Sequence, residues 1–196
     1  GIQNGVMVNT KDLAKSMSEL SAATTLSLGK NPALLGEALA TTKALGMEMS
    51  QLEGIASGLM DFESSIANEL EAELLLGKNI NLEKARQAAL NNDLSTLASE
   101  IAEQAGTAAE FGEMNRIQQE AIAKAVGMGR DELAQTLYVQ EQLAGATGEE
   151  AAEQEAILNA RIAEVGLAQA QKEMAKDGFE GLKNQAGMAD RMGAAM

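Results

Sequence analysis

The chain has 196 residues and a formal charge of −14, with 36 Ala, 19 Gly, 24 Leu and 9 Ile against 5 Val, and only 2% aromatic residues. Unbranched side chains keep most of their rotamer freedom in a helix whereas sheets favour branched and aromatic ones, so the composition points to an all-α fold of one or two domains with a thin core of Leu, Met and Ala. The lack of Cys and His removes disulfides, thiol chemistry, ordinary zinc sites and Ser-His-Asp triads. The acidity argues against nucleic acid and anionic membranes as partners.

In chain order, residues 1–10, with Val6-Met7-Val8, read as an extended arm. A helix is expected near 11–28, closed by Gly29, and another near 32–45, opened by Asn31-Pro32 as N-cap and first helical residue. The third, near 51–76, carries the clearest pattern. Leu52, Ile55, Leu59, Phe62, Ile66, Leu70 and Leu74 recur every three or four residues and form a single core or partner-facing stripe. Shorter helices follow near 82–90, 94–105, 108–113, 116–126 and 130–143, then a longer one near 148–176. Gly29, Gly46, Gly77, Gly106, Gly127 and Gly145 stand just past these segments, where glycine takes the left-handed conformation that ends a helix. Capping signals support several starts, among them Ser50 to Glu53, Asn81, Thr107 to Glu110, Asn115, Gly129 and Thr147 to Glu150.

These elements make an irregular array of short and medium helices with glycine-capped turns and one longer C-terminal helix. Residues 11–145 form a helical domain. Residues 146–177 form a long helix whose seam through Leu158, Ile162 and Val165 runs into Gln169 and Lys172, so it is expected to pack on partner chains in a homo-oligomer. Residues 178–196, rich in Gly, Met and Ala, read as a flexible tail.

Three constellations bear on chemistry. No Lys or Arg occurs between Ala44 and Gly77, a stretch with seven acids, of which Glu69 and Glu73 lie one turn apart as the sharpest candidate cation pair. A cation cage needs several converging oxygens, so a solvated acidic face is the better reading. Gly77-Lys78-Asn79 lacks the upstream Gly and following Ser or Thr of a phosphate loop. Met47, Met49, Met60, Met114 and Met128 suit adaptable core filling, with a Met-rich partner surface as the alternative. No catalytic residue, metal or cofactor is expected, and no apolar run reaches the roughly 18–20 residues of a membrane span.

One segment reads as more than generic helix. Leu59-Met60-Asp61-Phe62-Glu63-Ser64-Ser65-Ile66, then Glu69 through Arg86, Glu110-Phe111, Met114 through Gln119, Val126-Gly127-Met128 and Asp131-Glu132-Leu133 resemble a segment that recurs in tail tape measure proteins of tailed phages. The resemblance covers roughly residues 35–143, and Gly129 stands where a Ser or Thr cap would be expected. It implies a structural virion protein that occupies the tail tube, determines tail length during assembly and leaves when the genome is ejected. Its partners would be tail tube or baseplate hub proteins, and its location the tail lumen after assembly in the host cytoplasm. Such proteins usually run to many hundreds of residues, so the chain, which begins at Gly1, is read as a fragment. The competing expectation is an acidic helical adaptor with a groove of Leu and Met for partner helices.

Overall fold

The computed structural model describes residues 20–29, 32–144, 146 and 148–194. Among them are eleven helices and no strand, as the composition predicts. They are α1 (Ala22–Gly29), α2 (Pro32–Ala44), α3 (Met49–Met60), α4 (Phe62–Leu76), α5 (Glu83–Leu90), α6 (Leu94–Ala105), α7 (Ala108–Glu113), α8 (Arg116–Ala125), α9 (Arg130–Gln142), α10 (Gly148–Val165) and α11 (Leu167–Ala194). The expected arm at 1–10, the first half of the helix at 11–28, Asn31, Gly145 and Thr147 lie outside the described residues.

The main core is organised around α6, which buries Leu94, Leu97, Ala98, Ile101, Ala102 and Ala105 on one face. Asp93 starts this helix, its side chain accepting from the Thr96 N–H at 3.2 Å, and Gly106 ends it. Helices α2, α3 and α5 pack on α6, and α4 packs on α8. Short polar ties fix the array: Ser21 donates from both N–H and Oγ to Glu53, Thr41 bonds Ser95 at 2.9 Å, and Gln51 donates to Glu132 at 2.9 Å. Met47, Met49 and Met128 are buried in this core, and Met60 and Met114 pack against it. These five methionines are therefore core filler and do not form a partner groove.

The long third helix is two helices. After Met60 the backbone turns at Asp61 (φ −79°, ψ 81°), whose side chain accepts from Ser64 N–H to cap α4. Asp61 with Glu63 in the next first turn is an N-terminus signal that the continuous apolar spacing conceals. The break separates the stripe. Leu52, Ile55 and Leu59 of α3 are buried, whereas Phe62, Ile66, Leu70 and Leu74 of α4 are exposed. The expectation of a single stripe fails for that reason: its first three residues face the core and its last four face outward.

The long C-terminal helix is likewise divided. Gly166 (φ 86°) separates α10 from α11, and the two run antiparallel, held by Arg161 to Glu173 at 2.7 Å and Lys183 to Glu153 at 3.2 Å. They share a second core of Tyr138, Val139, Leu143, Leu158, Ile162, Ala170 and Leu182. A single helix over 148–176 has no continuous apolar face and would need partner chains; folding back at Gly166 supplies the missing face from the same chain. Residues 178–194 are helical beyond a break at Gly178, and Leu182 is fully buried, so this part is not a loose tail.

Candidate partner surface

Helix α4 inverts the usual relation between hydrophobicity and burial. Its buried residues are Ser65 and Ala72, small enough for close approach to its neighbours. Its large residues lie elsewhere on the wheel: Phe62 is 49% exposed, Ile66 46%, Leu70 58% and Leu74 85%. Spaced four apart, they make a strip of about 18 Å along the helix at 1.5 Å per residue. Scattered exposed Leu residues are ordinary, but four on one helix face form a contiguous apolar patch.

The candidate cation pair has another task. Glu73 accepts from the Ile80 N–H at 2.8 Å, Glu69 accepts from the Leu82 N–H at 3.1 Å, and Arg86 of α5 donates to both Glu69 and Ser65. The two carboxylates thus satisfy the backbone of the 77–82 turn and clamp α5 to α4. Among the described residues no group of three or more Asp, Glu, His or Cys is placed to hold a metal ion. Gln118 of α8 donates to the Leu75 carbonyl at 3.0 Å, fixing the other end of α4.

This clamp leaves an open groove of about 700 Å³ between α4 and α5, walled by Phe62 and Ile66 on one side and Glu83, Gln87 and Leu90 on the other. Leu90 is itself exposed. The outer border of the stripe carries Glu63 and Glu71, both exposed; Glu71 lies 3.9 Å from Lys124 in a solvent-screened pair.

Of the residues singled out from sequence, the structure keeps Leu52, Ile55 and Leu59 together in the core and gathers Phe62, Ile66, Leu70 and Leu74 on the surface. Gly46, Gly77, Gly106 and Gly127 have positive φ, Gly29 is the last residue of α1, and Gly145 is outside the described residues. Sequence reasoning missed Glu155 of α10. This carboxyl is buried beside Lys43 at 3.7 Å and Asn159 at 3.4 Å. Burial pushes its pKa up to about 8, Lys43 opposing and Glu48 reinforcing the rise. Its only sequence signal was its position, three residues before Leu158 on the α10 seam. No helix among the described residues is long and apolar enough to cross a membrane. Comparison with protein-family models, with curated proteins and with solved structures finds no match.

Proposed function

We propose that the chain is a structural segment of a phage tail tape measure protein, folded as a compact helical module and not drawn out along the tail axis. The observation that carries this reading is that the tape-measure-like stretch, roughly 35–143, holds a buried cluster of its own, which includes Leu35, Leu52, Leu97, Ile101, Ile122 and Leu137. Its partners in this reading are the tail tube or baseplate hub proteins, met during assembly in the host cytoplasm. One continuous helix of 196 residues would reach about 290 Å at 1.5 Å per residue; the turns at Gly46, Gly77, Gly106, Gly127 and Gly166 oppose such an extension.

The test is an in-frame deletion of the segment in the phage that encodes it, with tail length read by electron microscopy. Failed or aberrant tails without proportionate shortening are expected. Viable particles with tails uniformly shorter by close to about 290 Å would make the segment a ruler and overturn the compact reading. A second reading, an acidic helical adaptor, is favoured by the exposed α4 stripe and separated from the first by gene context: a complete reading frame of about this length, away from tail genes, selects the adaptor.

A further inference from the structure

We propose that the α4 stripe and the groove between α4 and α5 dock an amphipathic helix whose polar face is basic. The proposal stands on the surface itself and holds in either reading of the function, so its failure leaves the tail-length experiment untouched. The shape comes first. Phe62, Ile66, Leu70 and Leu74 present apolar side chains over three turns, the footprint of a helix-in-groove contact anchored at i, i+3 or i+4, and i+7. Leu90 on the far wall, across from Phe62 and Ile66, gives the incoming helix a second apolar edge over the first part of the stripe, and Leu70 and Leu74 extend the contact beyond the groove.

Charge selects the occupant. Acidic groups border the trough on both sides, Glu63 and Glu71 outside the stripe and Glu83 across the groove. Glu63 and Glu83 have no ion-pair partner among the described residues. Arg86, the one cation lining the groove, is already held by Glu69 and Ser65. No Lys or Arg occurs from Ala44 to Gly77. A second copy laid antiparallel on α4 would therefore set Glu63 and Glu71 against their own counterparts, and like charges facing across an interface are penalised. A helix with Lys or Arg flanking a Leu stripe meets complementary charge on both rims. The overall charge of −14 also speeds its encounter at low salt.

The experiment uses the full chain and two labelled peptides of about 14 residues, four helical turns, sharing one Leu stripe, one with a Lys polar face and one with a Glu polar face. Fluorescence anisotropy should show binding of the Lys peptide only. Ile66→Ser with Leu70→Ser should weaken it at least about tenfold with circular dichroism and melting unchanged, since both positions are exposed. Glu63→Lys with Glu83→Lys should weaken it several-fold and flatten its salt dependence between about 50 and 300 mM, while Leu26→Ser, exposed on α1, changes nothing. Equal binding to the stripe variant, or to the Glu peptide, overturns the proposal. A dimer seen by sedimentation and abolished by Leu70→Ser would assign the stripe to a second copy instead. Binding of the Lys peptide by Leu13→Ser with Met17→Ser but not by the unmodified chain would assign the stripe to the chain's own first residues. Either result overturns the basic partner.

Discussion

Ile101 and Phe62 are both large apolar residues on helical stripes, yet they hold different places in the energetics. Ile101 is fully buried at the centre of α6, so Ile101→Ala leaves a cavity and should cost about 2–5 kcal/mol. Phe62 is half exposed, and Phe62→Ala should cost about 1 kcal/mol or less. Urea denaturation of the two variants checks this, and equal losses would place Phe62 in the core after all. Glu155 supplies the second test at this scale. Its folded pKa of about 8 lies above the ordinary value of 4.5, so between those values the folded chain binds more proton than the unfolded one. Its contribution to stability is complete below about pH 4.5 and is lost as pH rises toward 8, with a slope of at most about 1.4 kcal/mol per pH unit. Glu155→Gln keeps the shape and removes the titration. Its stability should change less than that of the wild type from pH 5 to 8 and exceed it at pH 8; parallel profiles would show that Glu155 titrates normally.

Helix ends decide most of what is specific to this fold. Gly46 (φ 70°) and Gly77 (φ 66°) both use the left-handed backbone, but a Cβ at Gly46 would lie 3.0 Å from Val139 Cγ1 and 3.2 Å from the Thr136 carbonyl, whereas one at Gly77 would meet nothing within 4 Å. Gly77→Ala should cost about 1 kcal/mol from backbone strain alone, and Gly46→Ala about 2 kcal/mol or more, because α9 must also shift. Thermal melts of the pair measure the difference, and equal shifts would mean that α9 yields freely. Most element boundaries were legible because the caps are local: Thr107 accepts from Glu110 N–H, Asn115 and Gln118 cap each other, and Glu132 accepts from Gly129 N–H. The two breaks at Asp61 and Gly166 were not, because apolar spacing continues across the first, and at the second a lone glycine sits between Val165 and Leu167 with no capping residue after it. The inner face of α4 was illegible for a deeper reason. Close packing there selects Ser65 and Ala72, and a carboxylate pair serves the next turn, so the most hydrophobic face is the outer one. Its partner role was anticipated only in that the stripe was read as facing either core or partner.

At the scale of the whole molecule, eleven helices among the described residues fold back on one another around two cores, one built from α2 to α9 and one joining the end of α9 to the α10–α11 hairpin. If the proposed tail role holds, it would be that of a folded body with an outward apolar stripe, because residues 35–137 contribute to the first of these cores. The hairpin depends on charge as well as on Leu158, Ile162 and Leu182. Arg161 donates from Nε and Nη2 to the two Glu173 carboxylate oxygens, each at 2.7 Å, and through this hydrogen bonding keeps the Glu173 pKa below the usual range. Small-angle X-ray scattering of the isolated monomer tests the compact body most directly. A folded chain of this length should give a radius of gyration near about 16 Å, somewhat more if the hairpin projects. A rod-like profile with a longest dimension approaching about 290 Å would contradict it.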